Sequence, residues 1–139
     1  MTIESLLNQK SLAFISIFCL LTVERVFGIY DVFSQRFSVS AHDFKFIVDE
    51  AYELVFEPNE NKVEELKTNL EGLIPDTEDY SDVLADQAQC SAICLMYVLE
   101  YISAHDFSMV GYAFQKLEET IDILGYEGGN KDNLILSRE

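Results

Sequence analysis

Apolar residues recur at three- and four-residue spacing along most of this chain, which is the spacing of one face of an α-helix. The clearest stripe consists of Phe44, Ile47, Val48, Ala51, Leu54 and Val55. Acidic residues occupy the other side of that helix, so it is predicted to be amphipathic. We find no sustained alternation of polar and apolar residues. The pattern therefore predicts helices and no strands.

Punctuating residues divide this pattern into separate helices. Pro58 stops the first amphipathic helix, and Asn59 begins a shorter one that ends at Gly72. The inner stripe of the shorter helix is Val63, Leu66, Leu70 and Leu73. The linker after it, residues 74–79, is rich in acidic capping residues and predicts a turn.

Two further segments are apolar on most sides. Leu12–Val23 lies in a helix predicted over Ser11–Phe37, and Cys90–Leu99 lies in a helix predicted over Tyr80–Ile102. Helices that are apolar all round belong at the centre of a bundle. We expect these two to pack against each other, with the two amphipathic acidic helices on one flank.

The chain ends complete the predicted architecture. Thr2 caps a short helix that ends near Lys10, Ser40 caps the first amphipathic helix, and a last helix runs from after Asp106 to Gly125. A chain of 139 residues with 49% hydrophobic content can bury one core. The prediction is one domain over residues 1–139, an all-α bundle of about five helices. Its ordered core covers about 2–125, and its tail, 126–139, includes an apolar strip at 134–136.

The most apolar run does not predict a membrane span or an exported protein. Ser11–Val23 has thirteen uncharged residues, whereas a spanning helix needs about twenty apolar residues. Glu4 and the absence of a small-residue cleavage site argue against a signal peptide. The three cysteines, an odd number without framework spacing, predict reduced thiols. We expect a cytoplasmic protein.

Charge is the strongest functional signal. The net charge is -16, and the segment between Val48 and Asp86 holds thirteen acidic residues against only Lys62 and Lys67. A field of one sign attracts cationic partners and repels nucleic acid, whose binding needs clustered Lys and Arg. An acidic surface also serves solubility alone. The clustering favours a basic protein partner.

The only two histidines occur in a repeated segment. Residues 40–44, Ser-Ala-His-Asp-Phe, recur as residues 103–107. Paired imidazoles could act as a metal site or an acid–base pair. Helix-start signals explain more of the repeated residues, since Ser or Asp caps a helix and Phe is its first buried anchor. We favour this structural interpretation.

Other chemistry is poorly supported. Cys90 and Cys94 share a helix face, but their apolar neighbours indicate core residues rather than metal ligands. Glycine-rich phosphate loops and nucleophile elbows do not occur. We therefore expect no cofactor, no metal and no enzymatic activity.

Two resemblances bear on function. Residues 14–30, FISIFCLLTVERVFGIY, resemble the long first helix of the YjaG-like family of small helical bacterial proteins. Residues 74–80 and 88–92 are similar to that family's linker and its entry into the next long helix, so the resemblance covers about residues 12–124. The family has no assigned activity and implies no catalytic residues. By type, the chain also resembles immunity proteins of contact-dependent growth inhibition and related toxin systems, which implies a toxin as partner.

We accordingly expect an immunity protein that neutralises a cognate toxin, of which a basic nuclease domain is the expected type, and that is a monomer when free. The expected contact set is Glu53, Glu57, Glu60, Glu64, Asp76, Glu78, Asp79 and Asp82, with Tyr52 and Tyr80 as anchors. One alternative is a stand-alone YjaG-like cytoplasmic protein whose acidic surface serves solubility. The other is a helical enzyme that uses His42 or His105.

Overall fold

The computed structural model describes residues 2–37, 39, 41–80 and 82–132 of the chain. These residues form six α-helices and one 3₁₀ turn, and the all-α prediction is confirmed. The helices are α1 (Ile3–Leu7), α2 (Leu12–Phe37), α3 (Ala41–Phe56), α4 (Glu60–Glu71), α5 (Val83–Ala104) and α6 (Ser108–Asp132). The 3₁₀ turn, Thr77–Asp79, lies between α4 and α5.

Helix α5 is the central element of the bundle. It packs against α2, α3, α4 and α6, and its residues Ala88, Ala92, Leu95 and Leu99 have no exposed surface. The predicted packing of the two apolar helices against each other is confirmed, because α2 lies along α5. Helices α3 and α4 lie side by side, as predicted for the acidic flank.

Helix α2 is less buried than its composition predicts. Phe14, Leu21 and Val32 are 48%, 51% and 49% exposed and lie on the same side of the helix. Among the described residues, α2 is the one helix that is long and apolar enough to cross a membrane, with a mean hydropathy of 2.0 in its most apolar stretch. A third of that stretch, 33%, is buried inside the protein. The flanking helices leave its outer face uncovered.

An aromatic cluster fixes one end of the bundle. The rings of Tyr30 on α2 and Phe44 on α3 stack with centroids 4.5 Å apart. The Tyr30 hydroxyl donates a hydrogen bond of 2.6 Å to the carbonyl oxygen of Leu73, just after α4. Burial raises the pKa of Tyr30 to about 12, so the hydroxyl keeps its proton and remains a donor.

Replacing Tyr30 by Phe tests this link between α2 and α4. The variant keeps the ring but leaves the Leu73 carbonyl without its donor, so we expect a loss of about 1 kcal/mol in the free energy of unfolding. Urea denaturation with an unchanged slope measures the loss. An unaltered midpoint would mean that water or another donor takes the place of the hydroxyl.

Capping residues set the helix boundaries around the acidic segment. As predicted, α3 ends just before Pro58, and Asn59 caps α4 by accepting a 3.1 Å hydrogen bond from the Lys62 amide. The predicted start of the next helix at Tyr80 is wrong by three residues. Asp82 accepts a 2.8 Å hydrogen bond from the Leu84 amide, so it is the cap and α5 begins at Val83.

The last helix is longer than predicted. Helix α6 continues to Asp132 rather than ending at Gly125. A glycine inside a helix costs only about 1 kcal/mol relative to alanine, so it does not by itself end one. The predicted cap Ser40 and the apolar strip 134–136 lie outside the described residues, as do the side chains of residues 121–132.

Candidate functional site

The structure divides the predicted contact set into two groups. Four carboxylates lie within about one helical turn of the connection at Pro58 and are called the Pro58 carboxylates: Glu53, Glu57, Glu60 and Glu64. Four others surround the 3₁₀ turn and are called the Tyr80 carboxylates: Asp76, Glu78, Asp79 and Asp82. Helix α4, whose twelve residues span about 18 Å at 1.5 Å per residue, carries Glu60 and Glu64 on its first turns, and the second group lies beyond its other end.

The Pro58 carboxylates are exposed and mostly uncompensated. Glu53 lies on the last turn of α3, Glu57 directly follows that helix, and Glu60 is the first residue of α4. Within the described part of the chain, none of these three makes an ion pair. Glu64 pairs with Lys67 at 3.2 Å. This end of the hairpin therefore presents a concentrated negative field to solvent.

An exposed aromatic ring stands among these carboxylates. Phe56, the last residue of α3, is 67% exposed, which is more than any other large apolar side chain in the described residues. Together with Tyr52, Glu53 and Glu57 it lines a concavity of about 340 Å³. A protruding aromatic side chain ringed by charges has the composition of a protein interface with an anchor at its centre.

Phe56 was missing from the sequence prediction. The inner stripe of α3 ends with Leu54 and Val55, and Phe56 falls after it, beside the helix-ending Pro58. The sequence did contain a signal for an exposed anchor at this position. Phe56 is an aromatic residue outside the apolar stripe, and it lies at a helix end between Glu53 and Glu57. Phe46 is a second outward aromatic residue on α3, 46% exposed, and its ring lies 5.9 Å from the Lys62 ammonium.

Two of the Tyr80 carboxylates, Asp82 and Asp76, are engaged in the fold. Asp82 is half-buried and accepts a 2.7 Å hydrogen bond from Arg36 in addition to capping α5. The Leu84 amide and then Arg36 hold the pKa of Asp82 below its ordinary value. Its ionised form therefore stabilises the fold, and this contribution is lost as the pH falls through the lowered pKa. Asp76 accepts a hydrogen bond from the Glu78 amide at 3.0 Å.

The two predicted tyrosine anchors are packed against the core. The Tyr80 ring contacts the rings of Phe33 and Phe37, with centroids 5.2 and 4.7 Å away. Tyr52 is half-buried, and its hydroxyl makes no hydrogen bond of ordinary geometry with a described residue. Burial, and after it the nearby Glu24 carboxylate, raises the pKa of Tyr52 to about 12. Phe56 is thus the most exposed aromatic side chain at the Pro58 end.

The two histidines do not form a pair. His42 is in the first turn of α3, whereas His105 lies beside Leu54 and Pro58 at the other end of that helix. Twelve residues of α3 separate the two positions, which is about 18 Å. The hypothesis of a joint imidazole site is therefore wrong.

The repeated segments also differ in structure. Ser103 and Ala104 are the last residues of α5, and His105 ends that helix in the left-handed conformation with φ of 59°. Within the second copy, only Asp106 acts as a helix start, since it accepts hydrogen bonds from the Ser108 amide and hydroxyl at 3.0 and 2.7 Å. The helix-start interpretation thus holds for residues 41–44 of the first copy, which begin α3 with Phe44 buried, and for the second half of the second copy.

The cysteines are core residues, as predicted. Cys19, Cys90 and Cys94 are buried and free. Burial raises the pKa of Cys19 and of Cys94 to about 12 and also raises that of Cys90. Thiols of this kind stay protonated and are poor nucleophiles. Among the residues that the structure describes, no three His, Cys, Asp or Glu side chains are grouped so as to hold a metal ion.

Comparisons with models of protein families, with curated proteins and with solved structures found no match to this chain. Its resemblance to YjaG-like proteins and to immunity proteins therefore remains a prediction.

Proposed function

We propose that this protein is an immunity protein that binds a basic toxin domain through the Pro58 end of the α3–α4 hairpin. The observation that carries the proposal is Phe56, which is 67% exposed between carboxylates that have no ion pair in the described residues. The proposal is supported by the combination of an exposed aromatic side chain with charged neighbours, which is the composition of a protein interface with an anchor residue.

The chemistry of the site defines the partner. Unpaired carboxylates around an aromatic anchor fit a surface that offers Lys or Arg side chains around an apolar pocket. Surfaces of nucleases that bind the phosphate backbone have this composition, because they hold clustered cations. Carboxylates that occupy the phosphate positions would exclude nucleic acid from the toxin, and no catalytic group is required for that.

Electrostatics supply association rate and orientation, while Phe56 supplies affinity. A net charge of -16 steers a cationic domain toward the protein and raises the association rate at low salt. Buried aromatic anchors dominate the binding energy of most interfaces. The Tyr80 carboxylates, which lie beyond the far end of α4 and are partly used as helix caps, contribute to the field rather than to the anchored contact.

Replacing Phe56 by Ala tests the proposal. Immobilised wild-type and variant proteins are incubated with lysate of the source organism, and bound proteins are quantified by mass spectrometry. We expect a basic protein that the wild type retains and the variant retains about 30-fold more weakly, since a central anchor contributes 2 kcal/mol or more. High salt should release it.

Phe46→Ala is the matched control. It removes the same side chain from the same helix, ten residues from Phe56, which is about 15 Å along the axis. We expect this variant to retain the partner as the wild type does. Equal retention by all three proteins would place the interface elsewhere and refute the role of the Pro58 end.

A further inference from the structure

The outer face of α2 carries an apolar seam that is largely open to solvent, apart from Phe18, which packs against the ring of Phe114 on α6. Phe14, Leu21 and Gly28 are seven residues apart, and Val32 follows four residues later. The same face also includes Phe18, Arg25 and Gln35. With these residues added, the spacing alternates between four and three residues, as in a coiled coil. We call these seven positions the α2 seam. Its apolar members Phe14, Leu21 and Val32 are each about half exposed.

Charge limits what can cover this seam. Arg25 is its only charged residue, whereas the α3–α4 side of the molecule holds the acidic segment. A chain of charge -16 is repelled by anionic membrane surfaces, and two copies repel each other wherever their acidic surfaces meet. The seven seam positions include no carboxylate, although Glu4 and Glu118 lie beside Leu21 and Arg25 in the groove at the edge of the seam.

The seam is also complementary to itself in the antiparallel direction. A two-fold axis between Arg25 and Gly28 places Leu21 opposite Val32 of the partner subunit and Arg25 opposite Gly28 of the partner subunit. Gly28 is exposed, and a Cβ built on it meets nothing within 4 Å. This leaves room for the stem of an arginine from the other copy.

Asp31 completes the complementarity. It lies three residues, or about one helical turn, beyond Gly28, so an Arg25 side chain that crosses over Gly28 of the partner subunit reaches Asp31 of the partner subunit. In the described residues neither Arg25 nor Asp31 makes an ion pair within its own chain. Among the described residues, the carboxylate of Asp31 accepts only a 3.2 Å hydrogen bond from Gln35. The two-fold symmetry forms the Arg–Asp pair twice.

We propose that the α2 seam is an interface between two copies of this chain, packed antiparallel about a two-fold axis between Arg25 and Gly28. The proposal departs from the expectation that the free protein is a monomer and does not depend on the toxin-binding proposal. Since the Pro58 carboxylates and Phe56 are on α3 and α4, they are not part of the seam, and a dimer can still present them to another protein.

Sedimentation equilibrium of the full chain tests the interface. We expect a monomer–dimer equilibrium in which the dimer fraction increases with salt, because salt screens the repulsion between two acidic chains. Salt should therefore favour dimerisation, whereas it should weaken binding of the proposed toxin. Leu21→Lys should weaken dimerisation about tenfold or more by placing a charge in the apolar seam, with unchanged helicity because Leu21 is already 51% exposed.

A charge swap tests the geometry. Arg25→Asp and Asp31→Arg should each weaken the dimer, and the double variant should restore it, because the pair is re-formed with reversed polarity. A protein that stays monomeric up to about 1 mM would overturn the proposal, because a dissociation constant above that value corresponds to an interface weaker than about 4 kcal/mol. So would a dimer that tolerates Leu21→Lys, a double variant that stays monomeric, or a monomer whose seam instead binds phosphatidylcholine vesicles.

Discussion

Charge reversal at Glu53, Glu57 and Glu60 together is expected to weaken binding of the proposed toxin partner severely. Replacing all three by Lys puts cations opposite the cations of the partner, and like charges that face each other across an interface cost several kcal/mol. We expect the dissociation constant, measured by titration calorimetry with the captured partner, to increase about 100-fold or more. The remaining binding should also lose most of its salt dependence.

The matched control carries the same change in net charge at the other end of α4. Glu71, Glu78 and Asp79 are exposed, make no ion pair in the described residues and accept no capping hydrogen bond among those found. Replacing them by Lys weakens the long-range field by the same amount but leaves the Pro58 end intact. We expect a slower association rate and a smaller loss of affinity. Equal losses in the two triple variants would mean that net charge alone decides binding.

Truncation of Phe44 to Ala is expected to cost about 3–5 kcal/mol of the free energy of unfolding. Phe44 has no exposed surface, and its ring stacks on Tyr30 and lies 5.6 Å from the ring of Phe27. Its removal leaves a cavity where α2 meets α3, which the surrounding helices cannot close. Since domains of this size have a stability of about 5–15 kcal/mol, the variant should lose a large part of its resistance to urea.

Phe46→Ala provides the comparison on the same helix. This ring is 46% exposed, and its loss should change the free energy of unfolding by no more than about 0.5 kcal/mol. A difference of several kcal/mol between two phenylalanines only two residues apart would confirm which face of α3 is buried. Similar losses in both variants would contradict the described orientation of that helix.

Most of the fold could be predicted because periodicity specifies the buried face of an amphipathic helix. Phe44, Ile47, Val48, Ala51 and Leu54 on α3 are all buried as predicted, and so are Val63, Leu66 and Leu70 on α4. Pro58 and Asn59 set the break between these helices, since each acts through its local backbone. Signals of this kind need no knowledge of the rest of the chain.

The exposed faces could not be predicted, because they depend on which helices find a partner. The first half of α2, Leu12–Val23, is apolar on most sides and was predicted to be buried, yet Phe14 and Leu21 remain half exposed because no described helix covers that face. At the candidate site, the sequence predicts a concentration of negative charge. It does not predict that the carboxylates form two groups, because their separation depends on the length of α4. Tyr52 and Tyr80 were predicted as anchors from their proximity to acidic residues in sequence, whereas their packing against the core depends on tertiary structure.

Growth rescue tests the central claim most directly. The captured basic partner is expressed alone from an inducible promoter, and then together with this protein or with Phe56→Ala, while growth and protein levels are followed. We predict that the partner alone arrests growth, that the wild-type protein restores it, and that Phe56→Ala at the same level restores it poorly. A partner that does not inhibit growth, or that inhibits it equally in the presence of the wild-type protein, would contradict an immunity function.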